Sequence, residues 1–225
     1  MAGWSGLARR SARRIFRDRR EAGQVLAQAV AAYQGRDDLL VLGLARGGVP
    51  VAWEVAAALR APLDVFLVRK LGVPQWDELA MGALASGGGL VINDNLIRSL
   101  GVSEAALREA IDRETEELNR REQAYRGGRA AADPKGLVAI IIDDGIATGA
   151  SMLAAVRAVR AAQPARVVVA VPVGPPSVCT QLTQEADDVV CATTPTSFDG
   201  VGQVYVDFHQ VSDDEVRELL ATPTR

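Results

Sequence analysis

The chain has 225 residues, 48% hydrophobic and 24% charged, with a formal net charge of −3. That suits one α/β domain of ordinary size; the mild acidity argues against a nucleic-acid-binding body, and no apolar run is long enough to span a membrane. Aromatic residues are scarce, so the core is mostly Ala, Val, Leu and Ile, and the two cysteines, Cys179 and Cys191, lie in apolar surroundings without metal-ligand spacing. No disulfide framework is expected, and a reducing cytoplasm fits.

Residues 1–20 are basic, with Arg9, Arg10, Arg13, Arg14, Arg17, Arg19 and Arg20 against Asp18 alone. A secretory signal would need an apolar stretch, and none follows. An organelle presequence would share the Arg and Ser richness. The reading adopted is an N-terminal arm with a solvated arginine face, because Arg-Asp-Arg-Arg-Glu runs straight into a helix. That helix, over about residues 20–33, places Val25, Leu26, Ala29 and Val30 on one face, and Gly35 ends it.

Residues 39–45 form an apolar run that predicts a first sheet strand, broken at Arg46-Gly47-Gly48-Val49-Pro50 and followed by a helix over 51–59. Two glycines let backbone approach a ligand closely, and Arg46 offers bidentate geometry to a phosphate. This strand–turn–helix unit is therefore a candidate anion site. A second strand, 63–68, ends in Arg69-Lys70. Two solvated charges at a strand end are the competing reading there.

Residues 71–90 read as loop and hairpin, with Trp76 and a triple glycine that suit a lid or its hinge, and equally a plain hairpin; 90–93 is its return strand. Ser103 then caps a long charged helix to about Arg126, with Leu107, Ile111 and Leu118 as a thin apolar stripe. So narrow a stripe packs on the domain edge or on a second subunit, which hints at a homodimer.

The stretch 137–151, Leu-Val-Ala-Ile-Ile-Ile-Asp-Asp-Gly-Ile-Ala-Thr-Gly-Ala-Ser, organises the chain. A run of apolar residues, half of them β-branched, predicts a strand buried on both faces. Asp143 and Asp144 follow at its C-terminal end, then a small-residue turn, then an Ala-rich helix. Ligands of open α/β sheets bind at such strand ends, and helix N-termini favour anions. The segment thus offers a phosphate cradle beside two carboxylates able to accept from a diol or hold a hydrated Mg²⁺. There is no Gly-Lys-Ser/Thr and no G-x-G-x-x-G here, so neither a nucleoside triphosphate chain nor a dinucleotide is indicated. A single phosphate next to vicinal hydroxyls suggests a ribose 5-phosphate.

Beyond it, 166–173 predicts a buried strand, a short helix runs to about 185, and 187–192 is a further strand. Residues 204–208 read as an edge strand, and a last helix over 212–220 carries a capping box of Ser212 and Glu215. His209, the only histidine, is taken as a surface residue rather than a general base. The alternation of strands and helices implies a doubly wound, mainly parallel sheet with right-handed crossovers.

Residues 138–151 resemble the signature of the type I phosphoribosyltransferases: an apolar strand, two acids, a short turn, Thr-Gly, a small residue and Ser or Thr. The resemblance covers roughly residues 39–192. The wider pattern is similar to an uncharacterised bacterial group of these proteins, through Phe-Arg-Asp-Arg-Arg-Glu-Ala-Gly, Leu-Ala-Arg-Gly-Gly-Val-Pro, Ile-Asp-Asp-Gly-Ile-Ala-Thr-Gly-Ala and Asp-Phe-His-Gln-Val-Ser-Asp-Asp-Glu-Val.

The resemblance implies a single domain with a core over about 39–192 and a small hood from about 15–35 and 193–225. It implies that Asp143 and Asp144 hold the ribose of phosphoribosyl pyrophosphate and meet Mg²⁺, directly or through water. Gly145, Ile146, Ala147, Thr148, Gly149, Ala150 and Ser151 would wrap the 5-phosphate. Arg46, Gly47 and Gly48 would bind pyrophosphate, in a loop that in the family often carries a strained peptide, and Arg69 and Lys70 match an Arg-Lys pair of the orotate branch whose lysine contacts pyrophosphate, so they too would bind it. Phe198, Tyr205 and Phe208 are candidates to stack on a flat acceptor such as a nucleobase, with core packing as the commoner fate of such rings. Where the hypoxanthine-guanine branch has an aspartate, this chain has Ala147, as the adenine and orotate branches do, so a 6-oxopurine acceptor is less favoured. The expected reaction is Mg²⁺-assisted transfer of phosphoribose to a nitrogen nucleophile with release of pyrophosphate. A regulatory protein that binds phosphoribosyl pyrophosphate or a nucleotide without turnover ranks second, and a hydrolase or phosphorylase of a ribose phosphate third.

Overall fold

The computed structural model describes residues 14–74 and 76–224. Arg9, Arg10 and Arg13 of the basic arm lie outside them. Five strands, β1 (Leu39–Leu44), β2 (Leu63–Phe66), β6 (Val138–Ile142), β7 (Arg166–Val173) and β8 (Asp188–Thr193), form one sheet in the order β2-β1-β6-β7-β8. All four pairings are parallel. Every residue of β1 and β6 is buried, as their unbroken apolar runs predict.

Alternate side chains of these strands serve opposite faces. Leu39, Val41, Ile140 and Ile142 pack against Leu26 of α1 (Arg19–Ala29) and Val51 and Val55 of α2 (Gly48–Leu59). Leu40, Leu42, Ala139 and Ile141 pack against Met152, Val156 and Val159 of α5 (Ala150–Ala161). Each Val, Leu, Ile or Met side chain among them contributes about 1.5–3 kcal/mol when fully buried. The chain moves outward in one direction from β1 to β2 and in the other from β6 through β7 to β8. The order therefore reverses between β1 and β6, which is where a crevice opens at the strands' carboxyl ends.

The second strand ends earlier than its sequence suggests. Leu67 donates its N–H to Ser86 Oγ at 2.8 Å, and the chain leaves the parallel sheet there. Arg69 and Lys70 consequently sit within β3 (Val68–Val73), the first strand of a separate antiparallel sheet with β4 (Trp76–Ala85) and β5 (Gly89–Ile92). The start of β5 lies against α5: a Cβ on Gly89 would lie 2.3 Å from that of Ala158. Trp76, at the other end of the hairpin, is 54% exposed. A short helix, α3 (Asp94–Leu100), precedes the long α4 (Glu104–Arg126), which Ser103 caps. Of the thin stripe of α4, Leu118 is buried and Leu107 and Ile111 are partly buried; together with Ala110 and Tyr125 they pack with Leu71, Met81 and Leu84, and with Val216 and Leu220 of α7 (Asp213–Ala221).

Residues 204–208 are not an edge strand of the sheet. A 3₁₀ turn (Val201–Val204) leads into an extended segment with a single bridge, Phe16 to Tyr205. Phe16 donates to the Val204 carbonyl at 2.7 Å, and Val206 donates to that of Phe16 at 2.8 Å. The segment pairs with the arm before α1, and its apolar character reflects burial of the adjacent Val204 and Tyr205 against Phe16, Ala22 and Val173. The capping box of Ser212 and Glu215 is present at α7.

The absence of a disulfide, expected from composition, is overturned. Cys179 on α6 (Pro176–Leu182) is bonded to Cys191 on β8. The two cysteines are 12 apart in sequence and come together because α6 folds back on the strand that follows it. Closing so short a loop restricts the unfolded chain by about 3 kcal/mol. A Cys179→Ser variant is expected to unfold at lower denaturant under oxidising conditions by about that amount, and to match the wild type in excess reductant; equal midpoints in both conditions would argue that no bond forms. No helix among the described residues is long and apolar enough to cross a membrane.

Candidate active site

Two turns meet at the crevice between β1 and β6. The turn after β1 carries Arg46, Gly47 and Gly48, and its Ala45–Arg46 peptide is cis. The turn after β6 carries Asp143 to Gly149 and opens into α5. They touch through backbone. A Cβ on Gly47 would fall 2.1 Å from Asp144 Oδ2, and one on Gly48 would fall 2.6 Å from the Ile142 carbonyl oxygen. Only glycine allows this approach, so the two sequence motifs are one structural unit.

Within the second turn the predicted residues divide. Ile146 is buried and its N–H is taken by the Val173 carbonyl at 2.9 Å, which anchors the turn. Gly145 is buried too, under the Val201 and Val173 side chains. Ala147, Thr148, Ala150 and Ser151 are exposed, at the N-terminal end of α5. Gly149 has φ +79, and a Cβ on it would meet Val178 at 2.7 Å, so this corner is open only to glycine. The exposed part, 147–151, presents a helix N-terminus suited to an anion.

The acids lie deeper. Asp144 is 9% exposed and Asp143 half-buried. Asp143 Oδ1 accepts from the Asp144 N–H at 2.9 Å. Burial, and then the charge of Asp144, push the Asp143 carboxyl well above the usual carboxylate range. Burial also raises Asp144, against the pull of the Arg19 guanidinium. Two adjacent carboxylates held this way gain from any partner that donates hydrogen bonds or positive charge.

That partner includes a residue the sequence reading left in the solvated arm. Arg19 is 7% exposed, and its Nε donates to Asp144 Oδ2 at 2.8 Å. Its Nη1 donates to the His209 carbonyl at 2.8 Å, and its guanidinium lies 4.1 Å from the Phe208 ring centroid. Asp18 caps α1, which places Arg19 in the first helical turn, where the helix dipole disfavours a cation. The sequence sets Arg17, Arg19 and Arg20 alike at the start of this helix and does not single out Arg19.

The three aromatic candidates fall at the same edge with different roles. Tyr205 is buried and donates its hydroxyl to the Asp144 carbonyl at 2.6 Å; burial pushes its pKa up. Phe208 stacks on it at 5.0 Å and is partly open to solvent. Phe198 packs against the cluster of Phe16, Val204 and Tyr205. His209 is exposed and held by Glu215 and Asp207, whose hydrogen bonds raise its pKa.

The structure brings Arg46 near this crevice but turns its side chain to the N-terminus of α7, where Nη1 lies 3.4 Å from Asp213 Oδ1. The same Asp213 oxygen accepts from Tyr125 at 2.7 Å, and burial together with that bond pushes Tyr125 up to about 12. Arg69 is not gathered with the two turns. It is paired with Glu114 of α4 at 2.6 Å, and with Lys70 it lines a cavity of about 650 Å³ that also includes Glu109 and Arg113 and no residue of either turn.

Among the described residues no cluster of three or more His, Cys, Asp or Glu side chains could cage a metal. Mg²⁺ commonly binds through one or two carboxylates plus substrate phosphates and water. The donor set of Asp143 and Asp144 fits an ion held in that way.

Residues 85–209, more than half of the chain, match the family described as phosphoribosyl transferase domain. The chain belongs to the phosphoribosyl transferase family. The matched span runs from the end of β4 through the acidic turn to His209, so it contains α5, Tyr205 and Phe208. The chain is 48% identical over 207 residues to a Mycobacterium tuberculosis protein that bears the name "Putative phosphoribosyl transferase Rv0571c". That alignment covers 92% of this chain and 46% of the relative, so this phosphoribosyl transferase chain spans about half the length of the curated relative. It is also similar to the crystal structure of TT1426 from Thermus thermophilus, at 44% identity and a TM-score of 0.80, covering 92% of this chain and 97% of that one.

Proposed function

We propose that this chain moves phosphoribose from phosphoribosyl pyrophosphate to a nitrogen acceptor of nucleobase type and releases pyrophosphate. The observation that carries the reading is the contact of the two turns, Gly47 against Asp144, at the point where the sheet order reverses. It sets a pair of carboxylates beside an exposed helix N-terminus and beside Arg46. Those are the groups that a sugar diol, a 5-phosphate and a second phosphate group require.

In the reaction the bond between the anomeric carbon and the pyrophosphate oxygen breaks, its electron pair leaves with pyrophosphate, and the acceptor nitrogen bonds to that carbon and gives up its proton. Positive charge builds on the sugar as the leaving group departs, as in glycoside chemistry. Asp143 and Asp144 accept from the 2- and 3-hydroxyls and fix the ring, so the acceptor needs little reorientation. The 147–151 turn holds the 5-phosphate. The Gly47–Gly48 backbone faces the leaving pyrophosphate, and Arg46 stabilises its growing charge once its side chain turns from Asp213 toward the crevice. A Mg²⁺ ion held by Asp143 and Asp144, when bound, would neutralise phosphate charge. Phe208 offers a partly open ring to a flat acceptor.

The test is pyrophosphate release from phosphoribosyl pyrophosphate and Mg²⁺ across a panel of nucleobases and small amines. Release that depends on one acceptor supports the transferase and names its substrate. Tight binding without release under every acceptor would replace it with the regulatory reading.

A further inference from the structure

Arg19 is a buried cation that the reaction above does not use. Its position is costly, since it sits at the start of α1 against the dipole and is almost wholly removed from water. Three contacts fix the guanidinium in place: Asp144 Oδ2, the His209 carbonyl and the Phe208 ring. Asp144 is in turn held at its carbonyl by the Tyr205 hydroxyl, and its carboxylate lies against Gly47, where a Cβ would fall 2.1 Å from Oδ2.

We propose that Arg19 is a positioning residue that sets the Asp144 carboxylate for a ribose hydroxyl and ties it to the segment carrying Phe208. The inference rests on the ribose-phosphate reading of the site. With Oδ2 committed to Arg19, Oδ1 is the oxygen that meets the sugar. The planar fork of the guanidinium holds that orientation, which a lysine, as a point charge on a flexible stem, does not. Because the same guanidinium stacks on Phe208, a change in how the acceptor side is occupied reaches the ribose side through one side chain.

The full chain is titrated calorimetrically with ribose 5-phosphate, without divalent cation, as wild type, Arg19→Gln and Arg19→Lys, with thermal unfolding run alongside. Pyrophosphate release then gives KM for phosphoribosyl pyrophosphate and kcat. Arg19→Gln is expected to bind ribose 5-phosphate about tenfold or more weakly, as for a lost charge-assisted hydrogen bond, with KM rising more than kcat falls. Arg19→Lys keeps the countercharge and the fold and still binds several-fold more weakly. Wild-type affinity in Arg19→Lys overturns the positioning role even where Arg19→Gln fails to fold. Lowered unfolding temperature with unchanged affinity in Arg19→Gln also overturns it, leaving a structural brace. A wild type that binds no ribose 5-phosphate overturns the reading of the site, and the Arg19 role with it; binding by the wild type with unchanged variants overturns the Arg19 role alone.

Discussion

Replacing either Asp143 or Asp144 with asparagine is expected to lower kcat/KM for phosphoribosyl pyrophosphate by a factor on the order of 10³, the scale of removing one preorganised electrostatic contact. The two variants are expected to part in stability. Asp143 lies in a buried setting beside a like charge, and both effects disfavour its ionised form. Asp143→Asn removes that repulsion and keeps an oxygen for the Asp144 N–H, so its unfolding temperature should equal or exceed that of the wild type. Asp144→Asn leaves the Arg19 guanidinium buried without its countercharge, and the side chains of that pair are only 8% and 12% exposed. Breaking a buried pair on one side costs about 3 kcal/mol or more, which is roughly 10 °C in Tm for a domain of this size. Steady-state kinetics and thermal unfolding on both variants check this. Turnover within tenfold of the wild type in both would remove the acids from the reaction, and an undiminished Tm in Asp144→Asn would show that the Arg19 pair carries no stability.

Gly47→Ala is the second large effect. Its Cβ would lie 2.1 Å from Asp144 Oδ2 and 2.8 Å from Asp144 Cγ. The carboxylate cannot swing away cheaply, because Arg19 holds the same oxygen at 2.8 Å. The turn after β1 must move instead, and a displacement on the order of 1 Å in a positioned site costs about 10² in rate. The expected result is a loss of about that size in pyrophosphate release, with a smaller change in unfolding temperature. Gly200→Ala serves as the control, since Gly200 has extended backbone and a Cβ there meets nothing within 4 Å. Equal activity in the two variants would show that the turns do not need their contact.

Much of the fold follows from runs a reader can see in the chain. β1, β6 and β7 are continuous apolar stretches, and a strand buried on both faces requires that pattern. The parallel sheet and the placing of Asp143 and Asp144 at the end of β6 follow from it. Arg19 was not legible in the same way. Among many arginines of one arm, nothing local distinguishes the one that turns inward, and its partner Asp144 lies 125 residues away. The stretch 204–208 is rich in β-branched and aromatic residues as a strand would be, yet its partner is Phe16 rather than β8, and such composition reports burial without naming what does the burying. The early end of β2 is masked in the sequence because Leu67 and Val68 continue the apolar run while the Ser86 hydroxyl takes the Leu67 N–H. The Cys179–Cys191 bond depends on α6 folding back on β8, which spacing alone does not reveal.

The bridge between Phe16 and Tyr205 also sets an order of events in synthesis. Local contacts form before distant ones, and a chain leaves the ribosome N-terminal part first. Arg19 emerges early, but the carbonyl it needs belongs to His209, 190 residues later. The sheet from β2 to β8 has all its strands before that point. A nascent chain therefore carries a finished scaffold while Asp144 still lacks its clamp, and the arrangement is completed only when the two ends of the described chain meet.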